Sequence, residues 1–335
     1  MDEVVVRRPD ALQVRVRSIT FLCESVNSYE VVPLEGPALP AFSAGSHIDL
    51  YFRDGRVRQY SLCNPPNERH RYVFAVQREE NGRGGSKAIH EIVHAGRVLT
   101  ISAPRNNFEL RAGARHHVLI AGGIGVTPIV AMVHRLLESG EPFEVHYGVR
   151  DAARFAFKDE LERLELGDRL HACIDGGDPS RGMNLNAIVQ AAPAGAHFYC
   201  CGPERLMQGL RHASAARERD TVHFEYFAAP GPTPQVPGDL MRAEGDTIGV
   251  GFKVRLARRG QVFDVPDDKS IVEVLREHGV DVATSCEAGL CGTCRTRYLE
   301  GEPDHRDFML DDEERRHEML ICCSRSKTPT LVLDL

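Results

Sequence analysis

Cys286-Glu-Ala-Gly289-Leu-Cys291-Gly292-Thr-Cys294 places three thiols on one short stretch, and the pair Cys322-Cys323 follows near the end of the chain. The spacing C-x4-C-x2-C with a distant fourth cysteine is that of a plant-type [2Fe–2S] site. Two irons need four thiolates, and one tight loop here supplies three. Gly289 and Gly292 let that loop curl so that its N–H groups can face the cluster sulfurs. Structural zinc is the rival use of clustered cysteines. Zinc knuckles, however, come as closely spaced pairs, and this run does not divide into two of them.

The sequence around the loop supports a small domain. Phe252–Leu256 and Val262–Val265 read as a hairpin about Arg258-Arg-Gly260, and a strand is expected near Arg295–Leu299. Ser270 starts a helix through about His278, with Glu273 three residues on completing a capping box. These elements fit an α+β β-grasp ferredoxin domain over residues 249–335. Asp311–Arg316 is a charge run, read as a solvated turn or short helix. Upstream, residues 229–248 read as a Pro/Gly-rich linker: Ala228–Asp239 carries four prolines without periodicity, the composition of a semi-rigid tether.

The 335 residues suggest two or three domains. With 42% hydrophobic and 27% charged residues, ordinary cores can form. A net charge of −7 without a long basic run argues against nucleic acid. No apolar run reaches membrane-spanning length, and residues 1–20 do not read as a secretory signal. Ten cysteines in that setting point to a reducing cytoplasm, where thiols serve metals and redox chemistry. A cytoplasmic monomer with no membrane partner is expected.

Residues 1–110 are dominated by short alternating runs, namely Leu12–Val16, His47–Phe52, Val57–Leu62, Tyr72–Gln77 and Arg97–Ile101, separated by Gly, Pro and Asn. This reads as an antiparallel β-barrel. Within it, Arg58 and Tyr60 share one face of a strand and Ser61 takes the other. A cation, a ring and a hydroxyl suit a flavin, although such a strand is also ordinary barrel with the aromatic in the core. Gly82-Arg-Gly84-Gly85-Ser86-Lys87 runs into a helical stretch, Ala88–Val93. A glycine loop feeding a helix start offers N–H groups to a phosphate, with Ser86 as N-cap or donor. A hairpin tip is the alternative.

Residues 111–228 change to strand, glycine loop, helix. The strand His117–Ala121 meets Gly122-Gly123-Ile-Gly125-Val-Thr127-Pro128, and Ile129–Leu137 has helical spacing. Thr127 is expected as N-cap and Pro128 at the first helical position. The free N–H groups of that turn suit a pyrophosphate. Strands at Phe143–Tyr147 and Leu170–Ile174 follow, then His197–Cys201 with the turn Gly202-Pro203 and a helix at Glu204–Ala213. Alternating β and α elements predict an α/β doubly wound parallel sheet that binds ligands at the carboxyl ends of its strands. The other histidines show no pattern. Cys23, Cys63 and Cys173 read as small buried residues.

R-x-Y-S at Arg58–Ser61, G-R-G-G-S at Gly82–Ser86, G-G-x-G-x-T-P at Gly122–Pro128 and Y-x-C-G-P at Tyr199–Pro203 together resemble the ferredoxin-NADP reductase superfamily. With the C-terminal cysteine loop they resemble the phthalate dioxygenase reductase and vanillate O-demethylase reductase family. The resemblance implies that Tyr60 stacks on the flavin ring with Ser61 near its N5. It implies that Arg58, Gly84, Gly85, Ser86 and Lys87 hold the phosphate of FMN, with FAD an alternative. It also implies an NADH site at Gly122, Gly123, Gly125, Thr127, Pro128, Cys201, Gly202 and Pro203. Phe227 would cover the opposite flavin face, the alternative being a core aromatic between domains. Cys201 shapes the hydride site and no side chain acts as acid or base. The ending Cys-Cys-Ser-Arg resembles the family's C-x-S-R, which selects Cys322 as fourth ligand beside Cys286, Cys291 and Cys294. Cys323 then points away if the segment is extended. Electrons would pass from NADH to FMN to [2Fe–2S] to a terminal Rieske-type oxygenase or O-demethylase. A stand-alone flavin reductase, or a reductase for another one-electron acceptor such as a cytochrome P450, is the alternative. Arg150 and Asp151, at the end of the second nucleotide strand, bear on NADPH against NADH without deciding it.

Overall fold

Alternation of buried Val14 and Val16 with exposed Arg15 and Arg17 starts the first strand. The computed structural model describes residues 11–52, 56–80, 84–227, 251–284, 287, 289, 292–307, 310 and 313–335. It divides into two units, Met1–Phe227 and Ala228–Leu335.

The first unit opens with β1 (Leu12–Cys23), β2 (Val26–Pro33), β3 (Ser46–Tyr51), β4 (Val57–Ser61), β5 (Tyr72–Gln77), α1 (Gly85–Ile92), β6 (Val98–Ile101) and β7 (Arg105–Asn106). The sheet runs β4-β3-β6-β1-β2-β5, with β7 on β3. An antiparallel bridge between Leu62 and Phe74 joins the end of β4 to β5, so the sheet closes into the expected barrel. Ile48, Leu50, Leu62, Tyr72, Phe74, Leu99 and Ile101 fill it. Strand β2 was not expected. Its run Val-Asn-Ser-Tyr-Glu-Val-Val-Pro has a weak period, and pairing along most of β1, across a tight turn with Ser25 at φ 63°, carries it instead.

The same unit continues with β8 (His116–Gly122), α2 (Val126–Ser139), β9 (Phe143–Val149), α3 (Lys158–Arg163), β10 (Leu170–Ile174), α4 (Leu185–Ala191), β11 (Ala196–Cys201), α5 (Glu204–Ala213) and β12 (Val222–Glu225). All pairings in this sheet are parallel, in the order β10-β9-β8-β11-β12. Leu119, Ala121, Tyr147 and Tyr199 face the buried side of α2. Val118, Ile120, Phe198 and Cys200 pack with Val189 of α4 and with Met207 and Leu210 of α5. Helices therefore cover both faces, and the order reverses between β8 and β11, where such sheets bind ligands.

The second unit contains β13 (Phe252–Leu256), β14 (Val262–Val265), α6 (Ile271–Glu277), β15 (Arg295–Glu300), β16 (Pro303–Asp304), β17 (Glu318–Leu320), β18 (Arg325–Ser326) and β19 (Thr330–Leu333). Its main sheet runs β14-β13-β19-β15-β17, with β13 and β19 parallel, and Ile271, Val274 and Leu275 of α6 enter its core. This is the β-grasp arrangement. The capping box is present: Ser270 Oγ accepts from the Glu273 amide at 3.2 Å, and Glu273 Oε2 accepts from the Ser270 amide at 2.7 Å. The proposed linker, 229–248, lies outside the described residues. Replacing Ser270 by Ala should lower the stability of the second unit by about 1 kcal/mol. Urea unfolding followed through the cluster absorbance would measure this, and an unchanged midpoint would count against the cap.

Candidate active site

The glycine turn after β8 and the Gly-Pro turn after β11 meet backbone to backbone. A Cβ on Gly125 would fall 2.2 Å from the Cys201 carbonyl oxygen, and one on Gly202 would fall 2.9 Å from the Gly122 Cα. Neither position accepts a side chain, because the obstructing atoms are main chain. Gly123 differs: its φ is +53° and nothing lies within 4 Å of where its Cβ would point. The two turns are thus locked together, while the chain between Gly122 and Gly125 forms an open concavity at the start of α2.

Two expectations are corrected here. Thr127 is not the N-cap: α2 begins at Val126 with Gly125 before it, and a 3-10 turn over Gly123–Gly125 leads into it. The Thr127 hydroxyl instead donates to the Ile124 carbonyl at 3.0 Å. Pro128 is the third helical residue, still inside the first turn, where the missing N–H costs nothing.

In the barrel, β5 is followed by α1, which begins at Gly85 with Gly84 before it at φ +76°. A Cβ on Gly85 would lie 2.5 Å from Arg58 Nε, and one on Gly84 would lie 3.3 Å from Arg56 Nη1. Two guanidinium groups therefore flank the free N–H groups of a helix start, an arrangement suited to a phosphate. Ser86 is not the N-cap; its Oγ accepts from the Glu79 amide at 3.0 Å, which leaves the O–H proton to donate. Lys87 pairs with Glu80 at 2.8 Å. Gly82 and Arg83 lie outside the described residues. On β4, the Tyr60 ring rests against the barrel core, 5.5 Å from Phe74.

Ser61, at the end of β4, faces the nucleotide sheet. Its hydroxyl donates to Glu225 Oε2 at 3.2 Å, joining the barrel to the end of β12. The register sets Cys201 opposite Glu225 on adjacent strands. Glu225 Oε1 lies 4.0 Å from His47 Nδ1, and His47 Nε2 is 3.2 Å from Gln59 Nε2. Burial pushes the Glu225 carboxyl up to about 8, against the opposing effect of the Ser61 hydrogen bond. Burial, and then the Glu225 charge, raises the Cys201 thiol well above its ordinary value, so Cys201 is no thiolate nucleophile. Phe227 follows two residues later and is 49% exposed, which does not suit a core aromatic.

In the second unit, Cys294 and Cys322 are both buried in one core, and the Ile321 amide donates to the Cys294 carbonyl at 3.4 Å. Gly289 and Gly292 both take positive φ, 74° and 71°. Two buried thiols, with Gly289 and Gly292 at positive φ, fit an iron–sulfur cluster. Cys286 and Cys291 lie outside the described residues. Residues 321–323 form a turn, not a strand, so side-chain alternation does not orient Cys323. Its Sγ sits 2.6 Å from where a Gly289 Cβ would be and donates to the Leu320 carbonyl at 3.6 Å. Cys173 is also corrected: it is only half-buried, on the outer strand β10.

Residues 254–327 match the family described as 2Fe-2S iron-sulfur cluster binding domain, and residues 100–222 match the dimethylamine monooxygenase subunit DmmA-like N-terminal domain. The chain is 48% identical over 327 residues to the tert-butanol monooxygenase / tert-amyl alcohol desaturase reductase subunit of Aquincola tertiaricarbonis, covering 97% of this chain and 96% of that protein. It is 42% identical to the vanillate O-demethylase oxidoreductase of Pseudomonas putida, with all of both chains aligned. The solved structure of phthalate dioxygenase reductase, described as modular for electron transfer from pyridine nucleotides to [2Fe–2S], superposes with a TM-score of 0.74 at 37% identity, over 97% of this chain and 98% of that one. The chain belongs to the phthalate dioxygenase reductase family. It is an oxidoreductase with a flavin barrel, a nucleotide domain and a [2Fe–2S] ferredoxin domain.

Two residues beside the candidate site escaped the sequence reading. Arg56 sits two positions before Arg58 on the strand period, which was a usable signal. Glu225 is a lone acid in an aromatic run, and only the pairing of β11 with β12 brings it to Ser61. The raised Glu225 carboxyl has a consequence for pH. The unfolded chain releases this proton near its ordinary value of 4.5, whereas the folded reductase keeps it until about 8. Stability from this group is therefore full below about pH 4.5 and declines as pH rises through about 8. Replacing Glu225 by Gln should raise Tm relative to the parent protein by an increment that grows between about pH 5 and pH 8.5. Differential scanning calorimetry at both ends of that range checks it, and a constant increment would contradict the assignment.

Proposed function

We propose that this reductase takes two electrons as a hydride from NADH, passes them through FMN to its [2Fe–2S] cluster, and delivers them singly to a terminal oxygenase of the Rieske type. The observation that carries the reading is the Ser61–Glu225 hydrogen bond, which sets the barrel edge against the carboxyl ends of the nucleotide strands. When bound, the flavin supplies conversion between hydride and single-electron chemistry.

The chain's own residues position and select. Arg58 and Arg56, with the first amides of α1 at Gly84, Gly85 and Ser86, bind the FMN phosphate, and Lys87 supplies further positive charge. Tyr60 presents its ring from β4. The turn from Gly122 to Gly125 and the first turn of α2, with Thr127 and Pro128, hold the dinucleotide pyrophosphate. Gly202 and Pro203 keep the second wall close, Cys201 and Ser61 line the place of hydride transfer, and Phe227 screens it. Asp151 already pairs with Arg154 at 3.2 Å, while Arg150 lies along Gly177. Cys286, Cys291, Cys294 and Cys322 ligate the cluster. Support for an oxygenase as acceptor comes from relatives named as reductase parts of monooxygenase and dioxygenase systems. The domain division accompanying this reading is 1–110, 111–228, 229–248 and 249–335, and the reductase works as a monomer in the cytoplasm. Among the described residues no helix is long and apolar enough to cross a membrane.

Two outcomes test the reading. Cys291→Ser should abolish NADH-driven reduction of a one-electron protein acceptor while stopped-flow absorbance still records full-rate flavin reduction. Slow flavin reduction in that variant would count against the order of carriers. Tyr60→Ala should weaken FMN binding about tenfold, the loss of one ring stack worth ~1.4 kcal/mol, with cluster content unchanged. Fluorescence titration of the flavin-free variant measures the first and iron analysis the second.

A further inference from the structure

The nucleotide sheet carries a cluster of imidazoles away from its ligand crevice. His146 of β9 stands directly beside His171 of β10, with ring centroids 4.6 Å apart and planes 16° from parallel. Glu144, two residues earlier on β9, points from the same face. Its carboxylate oxygens lie 3.6 Å from His146 Nε2 and 3.7 Å from His171 Nε2. His116 at the start of β8 adds a fourth group, its Nε2 lying 3.9 Å from Glu144 Oε1. One ligand atom from each of Glu144, His146 and His171 falls within a 4.8 Å span.

This face is the one that α4 and α5 cover further along the sheet, over Val118, Ile120, Phe198 and Cys200. Toward β9 and β10 the apolar sequence stops, and Glu144, His146 and His171 take the positions next in register to Val118 and Ile120. A polar cluster at that place needs partners. Yet His146 Nε2 is buried and makes no hydrogen bond among the described residues, although Glu144 stands 3.6 Å away. A buried imidazole nitrogen whose nearest partner is a carboxylate beyond hydrogen-bond distance is poorly satisfied. Accepting a metal ion in place of a proton donor would satisfy it.

We propose that Glu144, His146 and His171 form a binding site for a divalent cation of the zinc class, with His116 able to complete a tetrahedral set. Two or three imidazoles with one carboxylate suit zinc, nickel or copper better than magnesium or calcium, which take oxygen-rich shells. Zinc bonds of about 2.0–2.1 Å would bring ligand atoms to about 3.4 Å from one another. The observed span closes to that by side-chain rotation, chiefly of His171, which is half exposed. The bound ion would tie β8, β9 and β10 together near the start of β9. Residues 122–125 and 201–203 lie at the opposite ends of their strands, so the ion plays no part in hydride transfer.

Holoprotein with flavin and cluster intact, kept anaerobic, is titrated with Zn²⁺ by calorimetry and examined by zinc-edge X-ray absorption. The expected result is one zinc with nitrogen and oxygen neighbours at about 2.0–2.1 Å and imidazole scattering. His171→Ala and Glu144→Gln should each weaken binding by about tenfold or more, with visible spectra unchanged. His171 is exposed and Glu144→Gln preserves shape, so intact flavin and cluster absorbance identifies a folded variant. The proposal is overturned by no binding at millimolar zinc, by sulfur neighbours near 2.3 Å, or by nitrogen and oxygen ligation unaffected by either substitution.

Discussion

The Cys201 carbonyl lies where a side chain on Gly125 would begin. That approach brings the ends of β8 and β11 together at the point where the strand order reverses, and it leaves the backbone at Gly123 open. Everything the nucleotide half presents to a ligand follows from it. The crevice has main-chain atoms at Gly122, Gly125 and Gly202 and a helix start behind them. Larger residues at Gly122, Gly125 or Gly202 would separate the strands before they filled the crevice.

The barrel meets the end of β12 at Ser61, and further polar contacts join the two halves at Glu24 with Ala153 and Arg154 and at Asn67 with Glu138. Ser61 and Glu225 belong to strands 164 residues apart, and both side chains are largely buried. Burial holds Glu225 neutral around pH 7, so the seam carries no unpaired charge at the place where a hydride donor and acceptor would meet. The second unit repeats the theme in sulfur. Cys294 and Cys322 are buried among apolar side chains, and Gly289 and Gly292 adopt positive φ, which glycine takes readily.

Much of this was legible beforehand because the informative features are local. The strand at Leu170–Ile174, the helix at Glu204–Ala213 and the hairpin of Phe252–Leu256 with Val262–Val265 have the bounds that their periodicity implies. The Ser270 box was readable from two residues. What failed depended on distant pairing or on fine cap geometry. Strand β2 is held between β1 and the distant β5, and β12 by β11. Thr127 and Ser86 looked like caps, but each preceding glycine turn carries the chain into the helix earlier than a side-chain cap would. The histidines show no order along the chain, since parallel pairing alone aligns His146 with His171. For Cys323 the condition of an extended segment is not met, because the chain turns there.

The central claim is that nicotinamide electrons reach the iron centre only by way of the flavin held in the barrel. Flavin-depleted protein that retains its cluster, mixed anaerobically with excess NADH and frozen for electron paramagnetic resonance, tests this most directly. The account predicts that the cluster stays oxidised and silent, and that adding FMN restores the reduced-cluster signal. A reduced-cluster signal appearing at full intensity without flavin would contradict it.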